Sequence, residues 1–505
     1  MAPENEWTRE IDVIIAGCGL SGGVAAIEAH DAGSSVMVLE KGEYPGGVSM
    51  LAGGGLRGSQ DIEASVAYLK ETSGGRIDEV ILRAFAEDLV GLEDYVRKLA
   101  KINGAVIKTY GPETTGAYPF TGKDSFYTFR VVEIPGFDGY PWVQRLMAAG
   151  VNTMKVVLDN IEARHIDIRT STPVKRLVRG DDGQIAGVIA ESGGREEKIK
   201  ARRAVILACG GFEHNEWLKK QYFQGMPFYS MAPLTHTGDG VIMAQKEGAA
   251  LWHMWHIHGS YGYKFDEYPI AFRIPLAGPR NPMRILPWIV VDRYGNRYMN
   301  ECQPAPQDTG HRAMELYDAD MPGYPRIPSY VVFDEVGRMR GPIGKPLSIG
   351  KFLYDWSKDN TEELAKGWIL SGQTLAELAE KITATADNGD KMTGAELEVS
   401  VAAWNKVVEQ GVDPLSRPEG TMLKIKVPPY YAAPVWPVIT NTQGGPVHNI
   451  KQQVLDSYGQ PIPRLYAVGE LSSMWGHLYL LGGNLSECIT SGRAAGRWVA
   501  TETPH

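Results

Sequence analysis

Residues 11–47, IDVIIAGCGLSGGVAAIEAHDAGSSVMVLEKGEYPGG, read as a strand, a tight glycine turn, a helix, a second strand and an acidic stop. Gly17, Gly19 and Gly22 form GxGxxG directly after the apolar run Val13 to Ala16, and Glu40 follows the second run, Val36 to Leu39. The first glycine permits the turn, the second lets backbone approach a pyrophosphate, and the third brings helix and strand together. The helix start then faces phosphates with unpaired N–H groups and the positive end of its dipole. A carboxylate at Glu40 can accept both hydroxyls of an adenosine ribose, which suits an unphosphorylated ribose better than NADP. The motif leaves NAD and FAD open.

Composition sets the outer limits. A chain of 505 residues has room for about two to four domain-sized units. With 43% hydrophobic and 22% charged residues and no long polar tract, it reads as ordered and globular throughout. A net charge of -9 gives no basic face for nucleic acid. Cys18, Cys209, Cys302 and Cys488 are far apart and form no CxxC, which speaks against disulfides, zinc, iron–sulfur clusters and c-type haem. The start, MAPENEWTRE, carries both charge signs and no secretory pattern, and no apolar run reaches the length of a membrane span. The expectation is a soluble, cytoplasmic protein.

Past Glu40 a second glycine cluster, GGVSMLAGGGLRGS (46–59), removes side chains where something flat must lie against backbone. Residues 61–104 have helical periodicity, with Val80, Leu82, Phe85, Leu89, Leu92, Tyr95 and Leu99 on the apolar face. From Tyr110 to Trp142 an irregular, aromatic-rich segment can line an apolar pocket. After a helical pattern at 143–164, residues 166–206 alternate as strands, and Ala204 to Ala208 resembles a buried parallel strand returning to the first sheet.

Residues 251–428 lose the βαβ rhythm. WIVVDRYGNRYMNE (288–301) reads as a hairpin, and two amphipathic helices follow. His253, His256 and His258 fit no common ligand spacing, so no metal is expected. From residue 429 glycine-punctuated α/β returns: the strand LYAV (465–468) stops at Gly469-Glu470, and Gly482, Gly483 and Asn484 open a last helix. The boundaries are therefore a first part at 1–250, an insertion at 251–428 and a second part at 429–505.

The ordered set GxGxxG…EK…GG…AGGG, VILACGGF, TGDG, VD..G.R..NE and PVITNTQGG…LYAVGE…LGGN resembles the fumarate reductase / 3-ketosteroid dehydrogenase family of flavoproteins, over nearly the whole chain. The resemblance implies an α/β fold, a glutathione-reductase-type Rossmann-like FAD domain with an inserted α+β capping domain. It implies FAD, held non-covalently because VSMLAGGG lacks the histidine used for covalent attachment. The implied cofactor set begins with Gly17, Gly19, Leu20, Ser21 and Gly22, then Glu40 and Lys41, then Gly47, Val48, Ser49, Gly54 and Gly55. It continues with Val174, Cys209, Gly210, Gly211, Asp239 and Gly240, and ends with Gly469, Glu470, Gly483, Asn484 and Leu485. Glu470 matches an acidic residue on the ribityl or ribose side.

The substrate end departs from the dicarboxylate reductases. Where they resemble GExTGGxHGANRLGGN, this chain has GELSSMWGHLYLLGGN, with Gly476 at the His, Leu480 at the Arg, and Asn441 at the His of HT.GG. Ketosteroid dehydrogenases resemble YxxxG here, and Tyr479 with Gly483 has that spacing, a hydroxyl and an N–H aimed at a carbonyl. Their capping tyrosine is replaced by Ala305, which leaves Tyr118, Tyr261, Tyr263, His311 or Asp308 as the base, with Tyr118 preferred. Arg312 is a weak match to the reductases' acid. The implied function is FAD-dependent introduction of a C=C beside the carbonyl of a bulky apolar substrate, 3-ketosteroids first, with an external electron acceptor or donor. The alternative is an ene-reductase of a non-steroid enone or acrylate.

Overall fold

Val13, Ile14 and Ile15 are wholly buried because their strand, Arg9–Ala16, lies between two parallel neighbours, Val36–Leu39 and Arg195–Leu207. Val13 pairs Val36 on one side and Ala204 on the other, so both faces and both edges are covered. That accounts for an unbroken apolar run instead of an alternating one. Pro461–Ala467 joins Arg195–Leu207 in parallel and Asp167–Arg169 joins Val36–Leu39, and the antiparallel Val174–Arg179, Ile185–Ser192 and Gln453–Leu455 complete an eight-stranded sheet.

The computed structural model describes residues 7–112, 118–143, 150–276, 284–349, 352–480 and 482–505. The chain divides into two units, Met1–Leu218 with Pro233–His256 and Asn441–His505, and Lys219–Ala232 with Ile257–Thr440. This division differs from the sequence boundaries. The strand Tyr430–Thr442 pairs through most of its length with Ser329–Asp334, Leu370–Gly372 and Tyr229–Ser230, which carries the second unit on to Thr440 and draws 219–232 into it.

In the first unit, helix Leu20–Asp31 is buried almost all round, as its mostly apolar sequence requires. The C-terminal helix Gly483–Val499 lies against it through Gly492 and Gly496, where an added Cβ would stand 2.6 Å from Ser21 O and 2.7 Å from Ala25 O. The 61–104 pattern resolves into helices Ile62–Ser73, Glu79–Val90 and Leu92–Ala100. Its apolar face is buried except Val80, which is 57% exposed in the first turn of its helix. The aromatic segment holds a strand, Phe126–Glu133, paired with Leu56–Ser59 and Val106–Tyr110, with Phe126 and Phe129 in the core. The expected 143–164 helix runs Gly150–Ala163, and 144–149 lie outside the described residues.

In the second unit the expected 288–301 hairpin is reduced to a tight turn closed by one antiparallel bridge, Val291 with Arg297. Ile289–Val291 pairs with Ser329–Asp334, and Asp292 closes a turn by accepting from the N–H groups of Tyr294 and Asn296. The rest of that motif serves a buried ion cluster. Arg297 holds Glu301 at 2.8 Å and Asp413 at 2.7 Å, Arg417 reaches Glu301 at 3.1 Å, and both guanidinium groups lie over the Trp404 ring. Burial works against the charge on Glu301, but Arg417 and Arg297 outweigh it and hold the carboxyl below its usual range. Removing one partner strands the others in a dry interior. Glu301→Ala is therefore expected to lower unfolding stability by about 3–5 kcal/mol, read from denaturant melts.

Candidate cofactor and active site

A cleft of about 750 Å³ opens in the first unit at the carboxyl ends of the parallel strands, its floor made by Ala16, Leu39 and Ala208. This is where open α/β sheets bind ligands. Gly17 has φ +105, and a Cβ there would lie 2.3 Å from Ala208 O. At Gly22 a Cβ would lie 2.1 Å from Gly17 O, which is the close helix–strand approach expected of the third glycine. Gly19 differs: its nearest neighbours, Ser49 Oγ and Gly46 O, are 3.8 and 3.9 Å away, so its side faces the cleft.

Glu40 ends its strand with both carboxylate oxygens engaged, Oε2 accepting from Cys18 N at 2.8 Å and Oε1 from Gly42 N at 2.6 Å. These bonds fix the carboxylate at the mouth of the glycine turn, and its remaining lone pairs suit ribose hydroxyls. Lys41 pairs with Asp239 at 2.8 Å, joining two residues far apart in sequence along the same wall. Ser49 Oγ accepts from Leu20 N at 3.2 Å and ties the glycine cluster to the helix start.

Deeper in, the sequence reading missed two residues. Glu213, fully buried, accepts from Thr442 N at 2.8 Å and lies 3.1 Å from Nδ1 of His236, which lines the cleft. Glu470, on the same wall, joins them, with one ligand atom of each of the three within 4.8 Å of the others. Burial and the charge of Glu213 push Glu470 well above the ordinary carboxyl range, while Glu213 is held below it in spite of burial, by Glu470 and His236. A protonated Glu470 beside an ionised Glu213 results. Among the described residues, Oε1 of Glu470 is buried with no hydrogen-bond partner. A ribityl hydroxyl would satisfy it, whereas metal ligation would require the proton to leave. Three segments distant in sequence build this cluster, so only the His inside THTGDG could have signalled it.

The cleft brings together Gly17, Gly19, Leu20, Ser21, Glu40, Lys41, Gly47, Val48, Ser49, Val174, Cys209, Gly210, Asp239 and Glu470. Gly22, Gly54, Gly55, Gly211, Gly240, Gly469, Gly483, Asn484 and Leu485 are not on its wall. Several of these pack behind it: a Cβ at Gly211 would meet Glu213 Oε1 at 2.5 Å, and one at Gly469 would meet Ser21 Oγ at 2.5 Å. Cys209 lines the cleft as a thiol that burial pushes up to about 12, so it offers packing and not a nucleophile.

Tyr479 is buried at the start of the C-terminal helix, edge-on to Trp475. Its hydroxyl oxygen accepts from Gly482 N at 2.7 Å and Asn484 N at 3.4 Å. Gly483, paired with it by spacing, donates its N–H to Leu480 O at 2.5 Å. The glycine N–H is thus engaged within the turn, and the helix-start N–H groups on either side of it converge on the tyrosine oxygen. Leu480, at the position of the reductases' Arg, is buried in the apolar core.

Among the base candidates, Tyr118 stacks on Phe120 and is half-buried in the first unit. Tyr261 and Tyr263 sit in the core of the second unit, where burial pushes both hydroxyls well up. His311 is held by Glu315 and by Asp308 O at 3.1 Å. The histidine run is structural at its start: His253 Nε2 and His256 Nδ1 face the carbonyls of Ser473 and Trp475 at 2.9 and 2.5 Å. Burial pushes His253 down to about 3, so it stays neutral.

A cleft at the carboxyl ends of parallel strands, with its glycine turn, an acidic stop and a buried carboxyl on its wall, has the build of a dinucleotide-binding site. The chain belongs to the FAD binding domain family (FAD_binding_2), whose model matches residues 12–485, and its cofactor is FAD. It is 27% identical to the 3-oxosteroid 1-dehydrogenase of Mycobacterium tuberculosis over 98% of this chain and 99% of that protein. It is 25% identical to the cytochrome fumarate reductase of Shewanella frigidimarina over 97% of this chain and 77% of that one. The fold matches the crystal structure of 3-ketosteroid delta1-dehydrogenase from Sterolibacterium denitrificans in complex with 1,4-androstadiene-3,17-dione, with TM-score 0.77 and 23% identity over 98% of this chain and 100% of that one. The protein is thus a member of an FAD-dependent oxidoreductase family that includes both ketosteroid dehydrogenases and fumarate reductases. Among the described residues, no helix is long and apolar enough to cross a membrane.

Proposed function

We propose that the protein is an FAD-dependent dehydrogenase that introduces a C=C beside the carbonyl of a bulky apolar molecule, with 3-ketosteroids as the substrate class. The observation that carries this reading is Tyr479, whose oxygen accepts two backbone N–H groups. In this reading the hydroxyl donates a hydrogen bond to the substrate carbonyl while the two backbone N–H groups hold its oxygen in place. The helix start beside it favours negative charge developing at the reacting carbonyl. Carbonyl polarisation acidifies the adjacent C–H, whose proton passes to a side-chain base, for which Tyr118 is the first choice. FAD, when bound, supplies the two-electron acceptor. An external acceptor then takes those electrons.

The dicarboxylate reading is weaker because Gly476, Leu480 and Asn441 stand where cationic or His carboxylate ligands are needed. Anaerobic titration of the holoenzyme with a 3-ketosteroid, following the flavin absorbance, tests the proposal. Bleaching that scales with steroid supports it. A flavin that stays oxidised with the steroid, but is reoxidised after dithionite reduction by an enone or acrylate, selects the ene-reductase alternative instead.

A further inference from the structure

One residue before Cys488, which lines the cofactor cleft, Glu487 lines a second cleft of about 390 Å³ in the same unit. The Glu487 carboxyl itself is buried. Its Oε1 accepts from Met474 N at 2.6 Å, and its Oε2 lies 3.0 Å from Ser473 Oγ. Ser473 Oγ is also 2.8 Å from Gln443 Oε1 and takes the Trp475 N–H at 3.5 Å. Gln443 Nε2 donates to Asn484 Oδ1 at 3.3 Å, and Asn484 Nδ2 to Asn441 Oδ1 at 3.4 Å.

A serine hydroxyl has one proton, so Ser473 cannot donate both to Gln443 and to Glu487. The bonds close when Glu487 carries a proton on Oε2: it donates to Ser473, and Ser473 donates to Gln443. Gln443 is then held with its amide N–H groups toward Asn484. An ionised Glu487 claims the serine proton instead, and Gln443 Oε1 loses its donor. Burial is what pushes this carboxyl up, to about 7, so the exchange falls at neutral pH.

We propose that Glu487 is a proton-controlled positioning residue: its neutral carboxyl, acting through Ser473, Gln443 and Asn484, holds the start of the C-terminal helix, whose Cys488 lines the cofactor cleft, and loss of its proton loosens that hold and weakens FAD binding. The proposal rests on FAD as the cofactor and is independent of the steroid reading. The titratable and charged groups around it are Asp88 from helix Glu79–Val90 with Arg493 4.0 Å away, His448 on the cleft wall, His253 bonded to Ser473 O, and Cys488 and Glu470 behind the helix. Burial pushes His448 and His253 down and pushes Asp88 up. Burial also pushes up Glu470, which lines the cofactor cleft itself, so the pH profile of the Glu487 variant is what assigns the change to Glu487.

The FAD dissociation constant, measured by flavin fluorescence between about pH 5.5 and 8.5, tests it, together with the infrared band of a protonated carboxylic acid. Wild-type FAD affinity is expected to fall up to about tenfold per pH unit above the transition. Glu487→Gln, whose amide reproduces both bonds of the neutral acid, is expected to keep the low-pH affinity throughout and to lack the titrating acid band. Ser473→Ala is expected to bind FAD weakly at every pH with the acid band retained. A wild-type profile that is flat, a Glu487→Gln profile that keeps the wild-type slope, or an acid band unchanged by that variant overturns the proposal. The flavin spectrum at low pH separates these outcomes from a failure of FAD binding itself.

Discussion

Gly22→Ala should abolish tight FAD binding in a chain that still folds. The added Cβ lies 2.1 Å from Gly17 O and 3.1 Å from Ala208 Cβ, and neither neighbour can yield. The first belongs to the phosphate turn, and the second directly follows the buried strand Arg195–Leu207. Relief requires helix Leu20–Asp31 to move away from the sheet, which carries its N-terminal N–H groups off the pyrophosphate position. Overpacking of this kind costs about 1–3 kcal/mol of stability. The effect on the cofactor should be larger, because the turn and the helix start are both displaced: about a hundredfold or more in FAD affinity, or roughly 3 kcal/mol. The flavin-to-protein ratio after gel filtration measures it. Gly91→Ala, with nothing within 4 Å of the new Cβ, is the matched control and should retain full flavin. Full flavin and an unchanged melting temperature in the Gly22 variant would remove the close-packing argument.

What the sequence made legible was local. Gly17, Gly19, Gly22 and Glu40 declare the cofactor end because turn, helix start and acidic stop lie within one βαβ unit and depend on spacing alone. The run Ala204 to Ala208 could likewise be placed, since a strand apolar on both faces has few homes other than a central parallel position. The readings that changed concern long-range pairing. Ile289–Val291 looks like half of a hairpin because Tyr294-Gly295-Asn296 is a good turn, yet its partner is Ser329–Asp334, which leaves Arg297 and Glu301 free to meet Arg417 and Asp413. The Glu213, His236 and Glu470 cluster is long-range as well: Glu470 comes from the last part of the chain, and no spacing rule ties it to Glu213 or His236. At Tyr479 spacing pointed to the right turn, but the backbone decided which N–H groups meet the oxygen, and they are those of Gly482 and Asn484.

Tyr479→Phe separates the chemical role proposed for this residue from a packing role. The substitution keeps the ring against Trp475 and the apolar volume, so the helix start and FAD content should be preserved. It removes the one oxygen that both accepts the Gly482 and Asn484 N–H groups and, in the proposed reaction, donates to the substrate carbonyl. Stability should fall by about 1–3 kcal/mol for the N–H groups left unpaired at a buried site. Turnover should fall further, by about 10²–10³-fold, the loss seen when a donor to a developing oxyanion is deleted. Single-turnover flavin bleaching by a 3-ketosteroid reads the chemical step directly, and the melting temperature reads the other. A purely structural tyrosine would lower the melting temperature and leave the bleaching rate of the folded fraction unchanged. A carbonyl donor would lower that rate with the flavin spectrum intact.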